Sequence, residues 1–73
     1  MGTMAIPDHT GHRQVAWRPD DPGSVADAAA AFADLGAQRL VPFARTGLDD
    51  FHQIRSFDPA ADEIVWVRPL QGG

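Results

Sequence analysis

The chain ends Arg68-Pro69-Leu70-Gln71-Gly72-Gly73, and this tail holds the residues with the clearest chemical meaning. A terminal carboxylate is a poor electrophile until it is adenylated. Gly72 and Gly73 carry no Cβ, so they can thread a narrow channel and lay the carboxylate beside a reactive phosphate. The other candidates are weaker. Asp8, His9 and His12 are metal-ligand types at close spacing, but two or three ligands in a glycine-containing segment make an adventitious site, and no metal is expected. His52 lies near Asp49 and Asp50, yet no Ser or Cys in a nucleophile context accompanies it, so a strand or turn role is expected. The carboxylate pairs Asp20-Asp21 and Asp49-Asp50 are adjacent in sequence and point apart, which suits turns and caps rather than acid–base catalysis.

The elements that must position these residues fit an α+β domain. Residues 1–11 read as a flexible tail, rich in turn residues, in which Met4-Ala5-Ile6 could form a short extra strand. Arg13 to Arg18 alternates, with Val15 and Trp17 on one face, and Pro19 ends it. Ser24 to Leu35 is the clearest helix, with Ser24 as cap, Asp27 at the box position and Gly36 as the residue beyond its end. Its apolar stripe is Val25, Ala29, Phe32 and Leu35, or Ala28 with Phe32. Gln38 to Ala44 reads as a strand at an edge or with a bulge, because Pro42 cannot donate to a ladder. Thr46 could cap a short helix through Gln53, but the preferred reading is a turn or single helical turn at 46–51, a strand at 52–57, a loop at 58–62 and a last strand at 63–69, the two strands forming a hairpin. Ile64 and Trp66 face one way, and Val65 and Val67 the other, so this strand belongs at the centre of a sheet.

Length and composition narrow the function. Seventy-three residues make one domain at most, with room for one helix on one sheet and little for a deep catalytic pocket. The expected body spans 12–70, with 71–73 as a flexible C-terminal tail. The net charge of −4 argues against non-specific nucleic-acid binding and against an anionic membrane surface. No apolar run approaches the roughly 20 residues that span a bilayer, and the N-terminus lacks the basic and apolar regions of a secretory signal. With no cysteine, a cytoplasmic location is expected. Lys, Asn, Tyr and Cys are all missing, which a GC-rich genome accounts for. One consequence is chemical: an activated C-terminus would find no side-chain amine or thiol on its own body.

The segment Asp62-Glu63-Ile64-Val65-Trp66-Val67-Arg68-Pro69-Leu70-Gln71-Gly72-Gly73, preceded by Ser56-Phe57-Asp58-Pro59, resembles the last strand and tail of ubiquitin-like (β-grasp) sulfur carriers of the MoaD and ThiS type. The resemblance covers about the last 18 residues, and the Gly-Gly end is its most specific part. It implies a protein co-substrate rather than an enzyme, activated at Gly73 by an E1-like adenylating enzyme and delivering sulfur as a thiocarboxylate. By the same resemblance Gly72 and Gly73 carry the function, Pro69, Leu70 and Trp66 help dock the partner, and no cofactor is needed. The hydrophobic face of the sheet would meet the activating enzyme.

The expected fold is therefore one helix packed on a small, mainly antiparallel sheet, in the order β-α-β-β-β, with β-grasp as the version that gains a short N-terminal strand. The rival reading is a small non-catalytic interaction or regulatory module, a homodimer joined through a sheet edge at 13–18 or 38–44. A third reading, a small enzyme subunit, would have to use His52 with Asp49 or Asp50.

Overall fold

A computed structural model describes residues 1–8 and 11–69. One helix packs on a five-stranded mixed sheet, so the chain is an α+β domain. Strands β1 (Gly2–Asp8) and β2 (Gly11–Trp17) come first, then α1 (Pro22–Ala37), β3 (Val41–Arg45), β4 (His52–Gln53) and β5 (Glu63–Val67). The sheet order is β2-β1-β5-β3-β4. β1 runs antiparallel to β2 and parallel to β5, while β3 runs antiparallel to both β5 and β4.

The N-terminal segment departs most from expectation. Residues 1–11 read as a tail, yet Gly2–Asp8 forms a strand between β2 and β5. Met4 and Ile6 point into the core, where they are 0% and 5% exposed. Their alternation is muted because Thr3, Ala5 and Pro7 on the other face are half-buried rather than charged. Gly2 is also buried, opposite Trp17 in the register. A Cβ there would clash with the Trp17 indole and lie 2.8 Å from the Ala61 carbonyl oxygen, so glycine is the residue that fits.

The helix starts earlier than its sequence suggests. Asp21, not Ser24, is the cap: its side chain accepts from the Gly23 amide at 3.1 Å, and Pro22 fills the first helical position. Ser24 instead bonds to both the amide and carbonyl of Arg18, tying the helix start to the end of β2. Gly36 lies inside the helix. The left-handed residue beyond the end is Arg39, at φ 66°. Ala28, Phe32 and Leu35 are the buried helical positions, with Val25 and Ala31 packed beside them.

The two tryptophans do not stack on neighbouring strands. They end an aromatic row across the core: Trp17 to Phe57 at 5.0 Å, Phe57 to Phe32 at 5.8 Å, and Phe32 to Trp66 at 4.8 Å. Edge-to-face pairs of this kind add about 0.5–1.5 kcal/mol each beyond area burial. Trp17 Nε1 donates to the Pro59 carbonyl at 3.0 Å, which pins the 58–62 turn over the end of β2.

The expected hairpin of 52–57 with 63–69 does not form. β4 is only His52–Gln53 and pairs with β3, and β5 pairs with β3 and β1. Pro42 explains the brevity of β4. Its carbonyl accepts from the Ile54 amide at 3.1 Å, so its missing N–H lies on that same side of β3. β5 takes the central place its apolar character requires.

Candidate functional site

β5 is apolar on both sides, and only one side is covered by the helix. Ile64 and Trp66 point inward at 0% and 2% exposure, while Val65 and Val67 point outward. The register places Val65 beside Ala5 on one flank and Phe43 on the other. Together with Phe51, these valines and Phe43 line a shallow apolar depression of about 220 Å³.

Phe51 does not belong to a strand and needs positioning. The Arg45 guanidinium lies 5.3 Å from its ring centroid and donates to Glu63 Oε2 at 2.7 Å. Arg45 and Glu63 face each other in the β3–β5 register, so the ion pair ties the two strands and offers its cation to the ring. A cation over an exposed ring contributes about 0.5–1 kcal/mol. The loop between β3 and Phe51 is anchored from beneath: the Asp62 carboxylate accepts from the Gly47 amide, and the Asp62 amide donates to the Arg45 carbonyl at 2.9 Å. Gly47 adopts φ 62°, the left-handed region a tight turn uses. The turn carries Leu48 fully out into solvent, beside exposed Asp49 and Asp50.

Of the residues named from sequence, Pro69 is exposed just beyond β5. Leu70, Gly72 and Gly73 lie outside the described residues, as do the expected tail 71–73 and His9 of the Asp8-His9-His12 group. Trp66 requires correction as a docking residue. Its side chain is packed against Phe32 under the helix, and a partner seated on the folded sheet cannot reach it. The outward side chains of the same strand, Val65 and Val67, occupy the position that role needs. Alternation along 64–67 gave the two faces, but only the position of the helix tells which one stays open. Phe43 and Phe51 carried no sequence signal as a pair, because the register that joins them to Val65 and Val67 is long-range.

His52 is exposed on β4, and Asp49 and Asp50 are exposed in the preceding turn, so this group has no enclosing cleft. Among the described residues, no cluster of three or more His, Cys, Asp or Glu could hold a metal ion, and no helix is long and apolar enough to cross a membrane. Of the two suggested edges, 13–18 falls on β2, an outer strand, whereas β3 lies between β5 and β4. Comparison with family models, curated proteins and solved structures finds no match to this chain.

Proposed function

We propose that the protein is a ubiquitin-like sulfur carrier, a cytoplasmic co-substrate that an E1-like enzyme adenylates at Gly73. The observation that carries this reading is the pairing of β1 with β5. The first and last strands, β1 and β5, run parallel to each other, flanked by β2 and by β3, with one helix over one face. One helix on a five-stranded mixed sheet is compatible with a β-grasp domain, and in that way it supports the resemblance first suggested by the tail.

In this reading the open face and the tail work as one device because both belong to β5. The activating enzyme seats Val65, Val67, Phe43 and Phe51, with Pro69 and Leu70 guiding the tail. The six residues after Val67 can then reach about 20 Å into its channel when extended. There a Gly73 carboxylate oxygen attacks the α-phosphorus of ATP and pyrophosphate leaves. Hydrosulfide next attacks the acyl carbon, the bond to AMP breaks and AMP leaves, and a thiocarboxylate stands in place of the carboxylate. The absence of Lys and Cys side chains leaves the acyl-adenylate without those intramolecular competitors.

The test is the intact mass of the protein from its native host, beside a form lacking Gly72-Gly73. A gain equal to replacing oxygen by sulfur, absent in the truncated form, supports the carrier. A terminus that no host enzyme adenylates removes it. The free outer edge of β2 favours the second reading, a non-catalytic module that dimerises through that strand. A monomer at all concentrations in sedimentation would eliminate that dimer.

A further inference from the structure

The sheet ends in a cleft of about 490 Å³ with mixed walls, beside the point where β5 stops. Pro7, Leu40 and Pro69 supply its apolar walls, and Gln38, Arg39 and Arg68 its polar ones. Both arginines are exposed, and no ion pair between side chains that the structure describes involves either one. Arg45 and Arg18, by contrast, are paired with Glu63 and Asp20. Two exposed guanidinium groups thus line one cleft on a chain whose net charge is −4.

Arg39 adds a second, independent observation. It occupies the left-handed position just beyond α1, at φ 66°, where its amide donates to the Gly36 carbonyl at 3.1 Å. Glycine is the ordinary residue there, because a Cβ in that conformation crowds the backbone. A long charged side chain held in a strained conformation at a cleft is a cost to the fold, and such costs gather at functional positions.

We propose that this cleft binds a short carboxylate-bearing segment of a partner protein, with Arg39 and Arg68 each engaging a carboxylate and Leu40 and the two prolines packing on the segment's aliphatic parts. Guanidinium groups offer paired donors that match carboxylate geometry. The cleft is open along the surface, which suits an extended chain. The overall negative charge repels acidic surfaces elsewhere, so such a segment is accepted in this one place and orientation. The cleft shares no residue with the apolar depression of Phe43, Phe51, Val65 and Val67, but Arg68 and Pro69 also begin the tail, so the segment and the activating enzyme would compete for them.

The experiment titrates the full-length ¹⁵N-labelled protein with a capped tetraglutamate peptide at low salt, following arginine side-chain and backbone resonances, with melting measured in parallel. Arg39→Gly is the decisive variant, because strain and binding respond in opposite directions. It is expected to melt higher by about 3–6 °C while binding the peptide at least about tenfold more weakly. Arg68→Gln is expected to weaken binding similarly, and Arg55→Gln, an exposed arginine outside the cleft, to leave it unchanged. Three results overturn the proposal. One is an Arg39→Gly variant that melts lower, or one that binds like the parent. Another is an equal loss in Arg55→Gln, which would mean diffuse charge attraction. The third is tighter binding of pyrophosphate than of the peptide in the same cleft, which would make it a phosphate site.

Discussion

The two faces of β5 carry the same kind of side chain and meet opposite surroundings. Ile64 and Trp66 lie under α1 with Phe32, while Val65 and Val67 look out from a sheet face that no helix covers. The described residues form one helix, and it lies over one face of the sheet. What the difference teaches is a division of labour. The covered face sets stability, and the open face is free to be chosen for contact. In most surface sheets the open side is polar; here Val65, Val67, Phe43 and Phe51 keep it apolar at the strand that leads into the tail.

Truncation under the helix should produce the largest loss of stability. Trp66→Ala removes a fully covered ring from the aromatic row and is expected to cost about 3–5 kcal/mol, a large share of what a domain this small possesses. Denaturant unfolding followed by far-UV circular dichroism measures it. Val65→Ala, one residue away on the open side, is expected to cost less than about 1.5 kcal/mol by the same measurement. Comparable losses from the two substitutions would break the division of labour. The open side also sharpens the proposed function: if the protein is a carrier, Val65→Ser should weaken adenylation by the proposed activating enzyme while the fold persists.

Gly2→Ala tests the buried end of β1 and comes next in size. The added methyl must displace Trp17, its bond to the Pro59 carbonyl, or the Ala61 carbonyl. Overpacking of this kind costs about 1–3 kcal/mol, and the shift should appear in both Trp fluorescence and melting temperature. A neutral result would mean that the first residues of β1 do not hold against Trp17.

This N-terminal strand is also where sequence reading fell furthest short. The helix and the central place of β5 were legible because helical periodicity and a doubly apolar run are local signals. Gly2, Met4 and Ile6 alternate too, but Thr3, Ala5 and Pro7 between them lack the charge that would have marked an outer face. A parallel partner such as β5 leaves no turn signal at all, since Ala5 and Val65 meet only through the fold. Expecting 52–57 to pair with 63–69 had the same origin: the Asp58-Pro59 turn is real, but it leads the chain from β4 back to the centre of the sheet. For the site, Pro69 and the two sides of β5 could be read from sequence. Phe43, Phe51 and the Arg39–Arg68 cleft depend on long-range register and on a helix end that Gly36 misdirected.

The smallest expected effect concerns how the open face is held in shape. Arg45 and Glu63 are each a little over a third exposed, so their pair is screened and contributes at most about 1 kcal/mol. Glu63→Gln should therefore move the melting temperature by no more than a few degrees. Its consequence for contact is larger than for stability, because the Arg45 guanidinium that Glu63 holds is the one lying against the Phe51 ring. Released from Glu63, Arg45 has less reason to stay over the ring, and Phe51 loses one of the restraints that keep it beside Phe43 and Val67. The expected result is a chemical-shift change at Phe51 ring protons and, under the proposed function, weaker docking of the proposed activating enzyme, in a protein that melts almost unchanged. If Phe51 shifts stay fixed in Glu63→Gln, the ring is held by the Gly47–Asp62 anchor instead, and Asp62→Ala should then be the substitution that releases it.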